Sequence, residues 1–102
     1  MHIKVDGGWT DGIGDGWASL VQPLIDQCNK EGVKIIQVKE KFGGLRFYTD
    51  RGSPELEKAI SDAENRSFDI CEDCGSEQSV TVAPRTGRYW TKTLCAACRA
   101  GA

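Results

Sequence analysis

Hydrophobic side chains recur at helical spacing in the first third of the chain. The residues that follow the i, i+3, i+4, i+7 pattern are Trp17, Leu20, Val21, Leu24, Ile25 and Cys28. This stripe predicts a helix over residues 17–28, and Gly32 lies just past its expected end. Pro23 lies inside the stripe, so we expect a kink there, because a proline removes one helical hydrogen bond.

The pattern then changes from helical to alternating. Residues 33–41 are rich in β-branched side chains and partly alternate between hydrophobic and polar positions, and a second run follows at residues 45–49. Gly43 and Gly44 lie between the two runs and favour a tight turn. The sequence therefore predicts a β-hairpin with the two glycines at its turn.

A second helix is predicted over residues 53–67. Ser53 suits the N-cap, and Pro54 then occupies the first helical position, where its missing N–H costs nothing. The stripe that would face the core consists of Leu56, Ala59, Ile60 and Ala63.

Four of the five cysteines form a C-x2-C-x20-C-x2-C arrangement. We expect Cys71, Cys74, Cys95 and Cys98 to hold one structural zinc ion, because two such pairs supply the four soft ligands that tetrahedral zinc prefers. Iron in a rubredoxin-type site is the alternative metal. A redox C-x-x-C would need a thioredoxin-like context, which the sequence lacks. Cys28, on a helical stripe, reads as a small buried hydrophobe outside the site.

Together these elements predict an α+β fold of helix, β-hairpin and helix, followed by a zinc ribbon or treble-clef-like module. Short strands at residues 80–82 and 89–91 would form that module, with a short helix after Cys95. We expect a core of residues 1–70 and a zinc-binding module of residues 71–102, packed as one compact unit.

No catalytic motif emerges, so we expect a protein without enzymatic activity. His2 is the only histidine, and four cysteine ligands would leave no open position on the metal. Residues 6–17 are rich in glycine and aspartate and read as a turn-rich loop in which Trp9 and Trp17 cap the core. Their spacing fits neither a dinucleotide fingerprint nor an EF-hand.

Composition and hydropathy bear on the expected location of the protein in the cell. The 102 residues carry a net charge of −2, and no apolar run is long enough to span a membrane. The first residues lack the apolar stretch of a secretory signal, so we expect a cytoplasmic location.

Charge is unevenly distributed, and residues 33–52 carry five basic and two acidic side chains. A partner surface is therefore predicted at Lys39, Lys41, Arg46, Tyr48, Arg88, Tyr89 and Trp90. The cations near Phe42 and Tyr48 could also contact phosphates and bases, or could form an ordinary solvated sheet face. Trp90 could instead pack against the second helix.

Several runs resemble a family of small zinc-ribbon proteins from bacteria, prophages and bacteriophages. They are VKEKFGGLRFY at residues 38–48, GW-x-x-LV-x-x-LI at residues 16–25, C-x-x-C-G and LC-x-x-C. The resemblance implies a bacterial or phage cytosolic protein with a zinc ribbon, and it implies no catalytic residues.

The expected function is a non-enzymatic, zinc-stabilised interaction protein. A phage or prophage factor that binds a host protein of defence or gene expression would fit. The alternative is a nucleic-acid-binding zinc ribbon that uses the hairpin with Arg85, Arg88, Lys92 and Arg99, and its affinity should fall steeply with salt.

Overall fold

The computed structural model describes residues 4–5, 8–9, 13–84 and 91–100, with side chains in 13–83 and 91–100. The fold mixes helices and strands and ends in a cysteine cluster, as the sequence predicts. The strands are β1 (Lys4–Val5), β2 (Gly8–Trp9), β3 (Ile35–Lys41), β4 (Gly44–Thr49), β5 (Val80–Pro84) and β6 (Thr91–Cys95). The helices are α1 (Ala18–Glu31), α2 (Pro54–Arg66) and α3 (Ala96–Ala100), with 3-10 turns at Asp15–Trp17 and Ser67–Asp69. Within this part of the chain, no helix has the length and apolar character needed to cross a membrane.

Helix α1 is longer than the predicted helix and runs past Pro23 without ending. Pro23 is exposed, and so is Ser19, the residue whose carbonyl group loses its helical hydrogen bond. The helix ends as expected at Gly32, whose φ of 69° places it in the left-handed region. The N–H of Val33 then donates to the carbonyl oxygen of Cys28 at 2.9 Å.

The β3–β4 hairpin is confirmed, but its turn lies one residue earlier than predicted. Lys41 pairs with Gly44, so Phe42 and Gly43 form a two-residue loop. Both have positive φ, 55° and 81°, as in a type I′ turn. Phe42 is a poor residue for this conformation, which costs a residue with a Cβ about 1–2 kcal/mol. Phe42 is also 71% exposed, so burial does not offset the strain.

Helix α2 forms where predicted and closes the free edge of β4. The Ser53 hydroxyl accepts a hydrogen bond from the Leu56 N–H at 3.1 Å, which is the expected N-cap. The N–H of Leu45 donates to Ser67 Oγ at 2.9 Å, and the N–H of Phe47 donates to Glu64 Oε2 at 3.0 Å. These side chains satisfy edge groups that would otherwise be open to another strand.

One core joins the two long helices to the inner face of the hairpin. Trp17 contributes the largest fully buried side chain of this core, with its Nε1–H donating to the Ile70 carbonyl oxygen at 2.9 Å. The expectation that Trp17 caps the core is therefore confirmed, whereas the side chain of Trp9 lies outside the described part. The buried residues are Ile13, Trp17, Leu20, Val21, Leu24, Cys28, Val33, Ile35, Val38, Leu45, Phe47, Leu56, Ala63 and Ile70.

Strand β5 begins at residue 80, as predicted, and runs past residue 82 to Pro84. Strand β6 runs from Thr91 to Cys95 and therefore extends beyond the strand predicted at residues 89–91, of which residues 89 and 90 lie outside the described part. Val80 pairs with Cys95 at its end. The strand therefore carries the third cysteine directly to the start of α3. We call the described residues between 71 and 100 the cysteine module.

Candidate metal centre

Two short segments deliver the four thiols. The first is the knuckle at residues 71–75, where the N–H of Gly75 donates to the Cys71 carbonyl oxygen at 2.9 Å. Gly75 has a φ of 85°, which explains the glycine after the second cysteine. The second is the junction of β6 and α3, where the N–H of Cys98 points at Cys95 Sγ at 3.5 Å.

The four sulfurs of Cys71, Cys74, Cys95 and Cys98 lie within 4.8 Å of one another. The Sγ atoms of Cys74 and Cys95 are 3.6 Å apart. Ligands about 2.3 Å from a tetrahedral centre would be separated by about 3.8 Å, so the spacing suits a four-thiolate site. The cysteines are thus positioned to bind one metal ion, and four protein ligands leave no coordination position for a substrate.

The electrostatics of the cluster fit a cation. Burial alone would raise the pKa of the Cys71 thiol, but backbone N–H groups of Cys95, Cys74 and Asp73 lower that pKa to about 7. The Cys98 thiol donates hydrogen bonds to the sulfurs of Cys74, Cys95 and Cys71, which raises the pKa of Cys98, because four thiolates cannot form side by side without compensation. A bound divalent cation removes this conflict.

The centre lies between a small core and solvent. Cys71 and Cys95 are buried beside Leu94, whereas Cys74 is exposed. A bound metal ion would therefore link the exposed arm of the knuckle, which carries Cys74, to a side that is already packed.

The glycine-rich loop has a role that the sequence did not reveal. The N–H of Gly16 donates to the carbonyl oxygen of Glu72 at 2.9 Å. A Cβ at Gly14 would collide with the Glu72 carbonyl oxygen, and one at Gly16 with the Cys71 carbonyl oxygen. The two glycines let this segment lie directly against the knuckle. The one sequence signal for this contact is the occurrence of glycine at alternate positions.

A buried ion network connects the knuckle to the hairpin. Glu72 is 1% exposed, and Lys92 contacts its carboxylate and also donates to Glu40 Oε1 at 3.1 Å. Burial opposes the charge on Lys92, but hydrogen bonds and attraction from Glu72 and Glu40 outweigh it and raise the pKa of Lys92. Beside it, Thr93 Oγ1 donates to the Gly43 carbonyl oxygen at 2.5 Å. Sequence reasoning missed this network, since nothing local marks Glu72 as buried.

Four of the predicted partner-binding residues share one surface, which we call the outer hairpin face: Lys39, Lys41, Arg46 and Tyr48. Lys39 pairs directly with Arg46 across the strands, and Lys39 Nζ lies 5.6 Å from the centroid of the Tyr48 ring. Within the described part of the chain, no carboxylate forms an ion pair with the three cations. Arg88, Tyr89 and Trp90 lie outside the described residues.

The cations suggested for nucleic-acid binding are only partly available. Lys92 belongs to the buried network, which corrects its expected place on a binding surface. Arg99 folds back onto the strands, where its Nη2 donates to the carbonyl oxygens of Thr81 at 2.8 Å and Lys92 at 3.1 Å. Arg85 and Arg88 lie outside the described residues.

Comparison of the chain with protein-family models, with curated proteins and with solved structures finds no match in any of the three.

Proposed function

We propose that this chain is a non-enzymatic interaction protein, stabilised by one structural zinc ion, that binds an acidic surface of a protein partner through its outer hairpin face. The observation that carries the proposal is the cross-strand pair of Lys39 and Arg46, with Lys41 beside it. Like charges directly opposite in a hairpin are unfavourable for folding, so their stabilising counter-charges would come from a partner.

Zinc is the metal that fits the donor set. Four thiolates in a closed sphere are typical of structural zinc, which contributes directly to folding. A knuckle, a β-hairpin and a helix whose first turn carries Cys98 support a treble-clef-like or zinc-ribbon arrangement. Zinc would close the exposed side of the centre and fix β6 against the knuckle.

A protein partner is favoured because apolar side chains adjoin the cations. Phe42 is 71% exposed next to Lys41, and mixed aromatic and cationic surfaces are typical of protein interfaces. The exposed carboxylates of Glu55, Glu57 and Asp62 on α2 add negative charge to the molecule and would repel a nucleic-acid backbone. With the resemblance to phage and prophage proteins, this supports a host protein of defence or gene expression as the partner.

Nucleic acid is the second candidate, and one observation favours it. Lys39 lies over the Tyr48 ring, and alternating cations and rings suit single strands. The two candidates differ in salt dependence, because phosphate binding releases counterions and weakens steeply as salt rises.

The experiment compares the Lys39→Glu/Arg46→Glu double variant with Lys58→Glu, a control at an exposed cation on α2. Each tagged protein is used to capture bacterial lysate proteins that have been treated with nuclease, and each is titrated with oligonucleotides at two salt concentrations. The double variant should lose a protein that wild type and the control both retain, while its thermal midpoint stays close to that of wild type. Capture by the double variant equal to that of wild type would contradict the proposed face, and steeply salt-dependent oligonucleotide binding would support the second candidate.

A further inference from the structure

The tip of the β3–β4 hairpin presents a residue that suits neither its backbone nor its surroundings. Phe42 has positive φ in the turn, where asparagine or glycine is favoured, and the residue is 71% exposed. A strained and exposed aromatic side chain therefore points to a role in binding, because neither turn formation nor packing accounts for it.

Two further apolar side chains lie around the same turn. A Cβ at Gly44 would come within 2.5 Å of Phe68 Cζ, so the Phe68 ring covers the backbone there. Val82 Cγ1 lies 3.3 Å from the position a Cβ would take at Gly43. Phe68 and Val82 are 41% and 43% exposed. We call Phe42, Phe68 and Val82 the tip ridge.

Positive charge borders the tip ridge along the outer hairpin face. Lys41 Nζ lies 5.6 Å from the centroid of the Phe42 ring. Lys41 also pairs across the hairpin with Gly44, the residue whose backbone the Phe68 ring covers. The next outward-facing pair is Lys39 with Arg46, about 7 Å further along the strands, as two residues of a strand span. The surface thus changes from apolar to cationic along the outer side of the hairpin.

Polar contacts from the hairpin and from the cysteine module hold the backbone of this turn in place. Glu40 Oε2 accepts a hydrogen bond from the Gly43 N–H at 3.2 Å, and Thr93 Oγ1 donates to the Gly43 carbonyl oxygen at 2.5 Å. Lys92 in turn fixes Glu40. Both polar groups of Gly43 are therefore occupied by partners that maintain the strained turn, and binding would require little reordering.

We propose that the tip ridge is the anchor of a docking surface for an acidic protein segment that carries a large apolar side chain. The apolar side chain contacts Phe42, Phe68 and Val82, and carboxylates of the same segment pair with Lys41, Lys39 and Arg46. The inference rests on the proposed function and names its anchor and its kind of partner. Charge complementarity selects an acidic segment, because the cations adjoining the tip ridge lack carboxylate partners within the described residues.

The probes are three short ligands of equal negative charge: a peptide of glutamate and leucine, a peptide of glutamate and serine, and an oligothymidylate. Binding is followed by NMR titration of isotope-labelled protein. The glutamate–leucine peptide should shift the signals of Phe42, Phe68 and Lys41 and bind about tenfold more tightly than either other ligand. Equal affinity for the serine peptide would overturn the apolar anchor, and tighter binding of the oligothymidylate would overturn the protein segment.

The decisive variant is Phe42→Asn, because asparagine tolerates positive φ. This variant should raise the thermal midpoint of the protein and should lower its affinity for the glutamate–leucine peptide about tenfold. Val82→Thr, which keeps the side-chain shape, should also lower the affinity for this peptide. The control variant Ile36→Thr, at an exposed hydrophobic position on β3, should not lower it. Wild-type affinity in Phe42→Asn would refute the anchor. If the Lys39→Glu/Arg46→Glu variant still lost partner capture in that case, the proposed function would stand without the Phe42 anchor.

Discussion

The ammonium group of Lys92 contacts the carboxylate of Glu72, a residue between two of the clustered cysteines whose side chain is 1% exposed. The same ammonium group donates to Glu40 of the hairpin at 3.1 Å. Residues from the knuckle, β6 and β3 thus meet at one cation. This junction is polar and buried, so its members are costly to remove singly and fix the position of the cysteine module relative to the hairpin.

Replacing Lys92 by methionine should therefore destabilise the protein by about 3 kcal/mol, because the Glu72 carboxylate would remain buried without a counter-charge. Urea unfolding measures this loss. The Glu72→Gln/Lys92→Met double variant should be the more stable of the two, since the amide oxygen can still accept the Thr93 N–H, now 2.9 Å from Glu72 Oε2. A double variant no more stable than the single one would show that Lys92 acts through packing instead of charge.

The metal centre predicts one zinc ion per chain in protein purified without chelator. Replacing Cys74 by serine should reduce the zinc content to a small fraction, because it removes one of four thiolates. Amide hydrogen exchange should then accelerate in β5 and β6. The amides of Leu45 and Phe47 should stay protected, since their acceptors belong to Ser67 and Glu64. Iron in place of zinc, or full zinc content in the variant, would contradict the assignment.

Cys28 should be dispensable for the metal. It is fully buried in α1, and burial together with the charges of Glu31 and Asp50 raises the pKa of its thiol, which keeps it protonated at neutral pH. Cys28→Ala should retain all the zinc and lower the free energy of unfolding by about 1 kcal/mol. In the native protein an alkylating reagent should leave Cys28 unmodified, and zinc loss from this variant would mean that the ligand set is wrong.

The sequence correctly predicted the features that depend on neighbouring residues, such as helix starts and the pairs of cysteines. Ser53 and Pro54 specify the start of α2, and the cysteine spacing identified the thiols that the structure brings together. The hairpin turn was misplaced by one residue because its register follows the burial of Val38, Leu45 and Phe47, which the glycine pair does not reveal.

The contacts that join the cysteine module to the rest of the chain could not be predicted in the same way. Lys92 is separated from Glu40 by 52 residues, and each residue alone reads as an ordinary surface charge. Similarly, Gly14 and Gly16 suggest turns, whereas their close approach to the knuckle depends on where the chain returns after α2. Such long-range pairings are set by the assembled fold rather than by local propensity.

The contact of Gly16 with the knuckle gives the last prediction. A Cβ at Gly16 would collide with the Cys71 carbonyl oxygen and lie 2.6 Å from the Gly75 nitrogen, and both are backbone atoms of the knuckle. Gly16→Ala should therefore push the segment at residues 13–17 away and break the hydrogen bond from the Gly16 N–H to Glu72. We expect a loss of about 2 kcal/mol or more in the free energy of unfolding.

The same variant should also release zinc faster to a competing chelator, because the knuckle loses its support. Gly52→Ala is the matched control: a Cβ there would meet only side-chain atoms of Leu56 and Glu57, at 3.3 Å and beyond. It should change both quantities little. If Gly16→Ala unfolds at the wild-type denaturant concentration and releases zinc at the wild-type rate, the glycine-rich segment does not brace the metal centre, and its two glycines need another explanation.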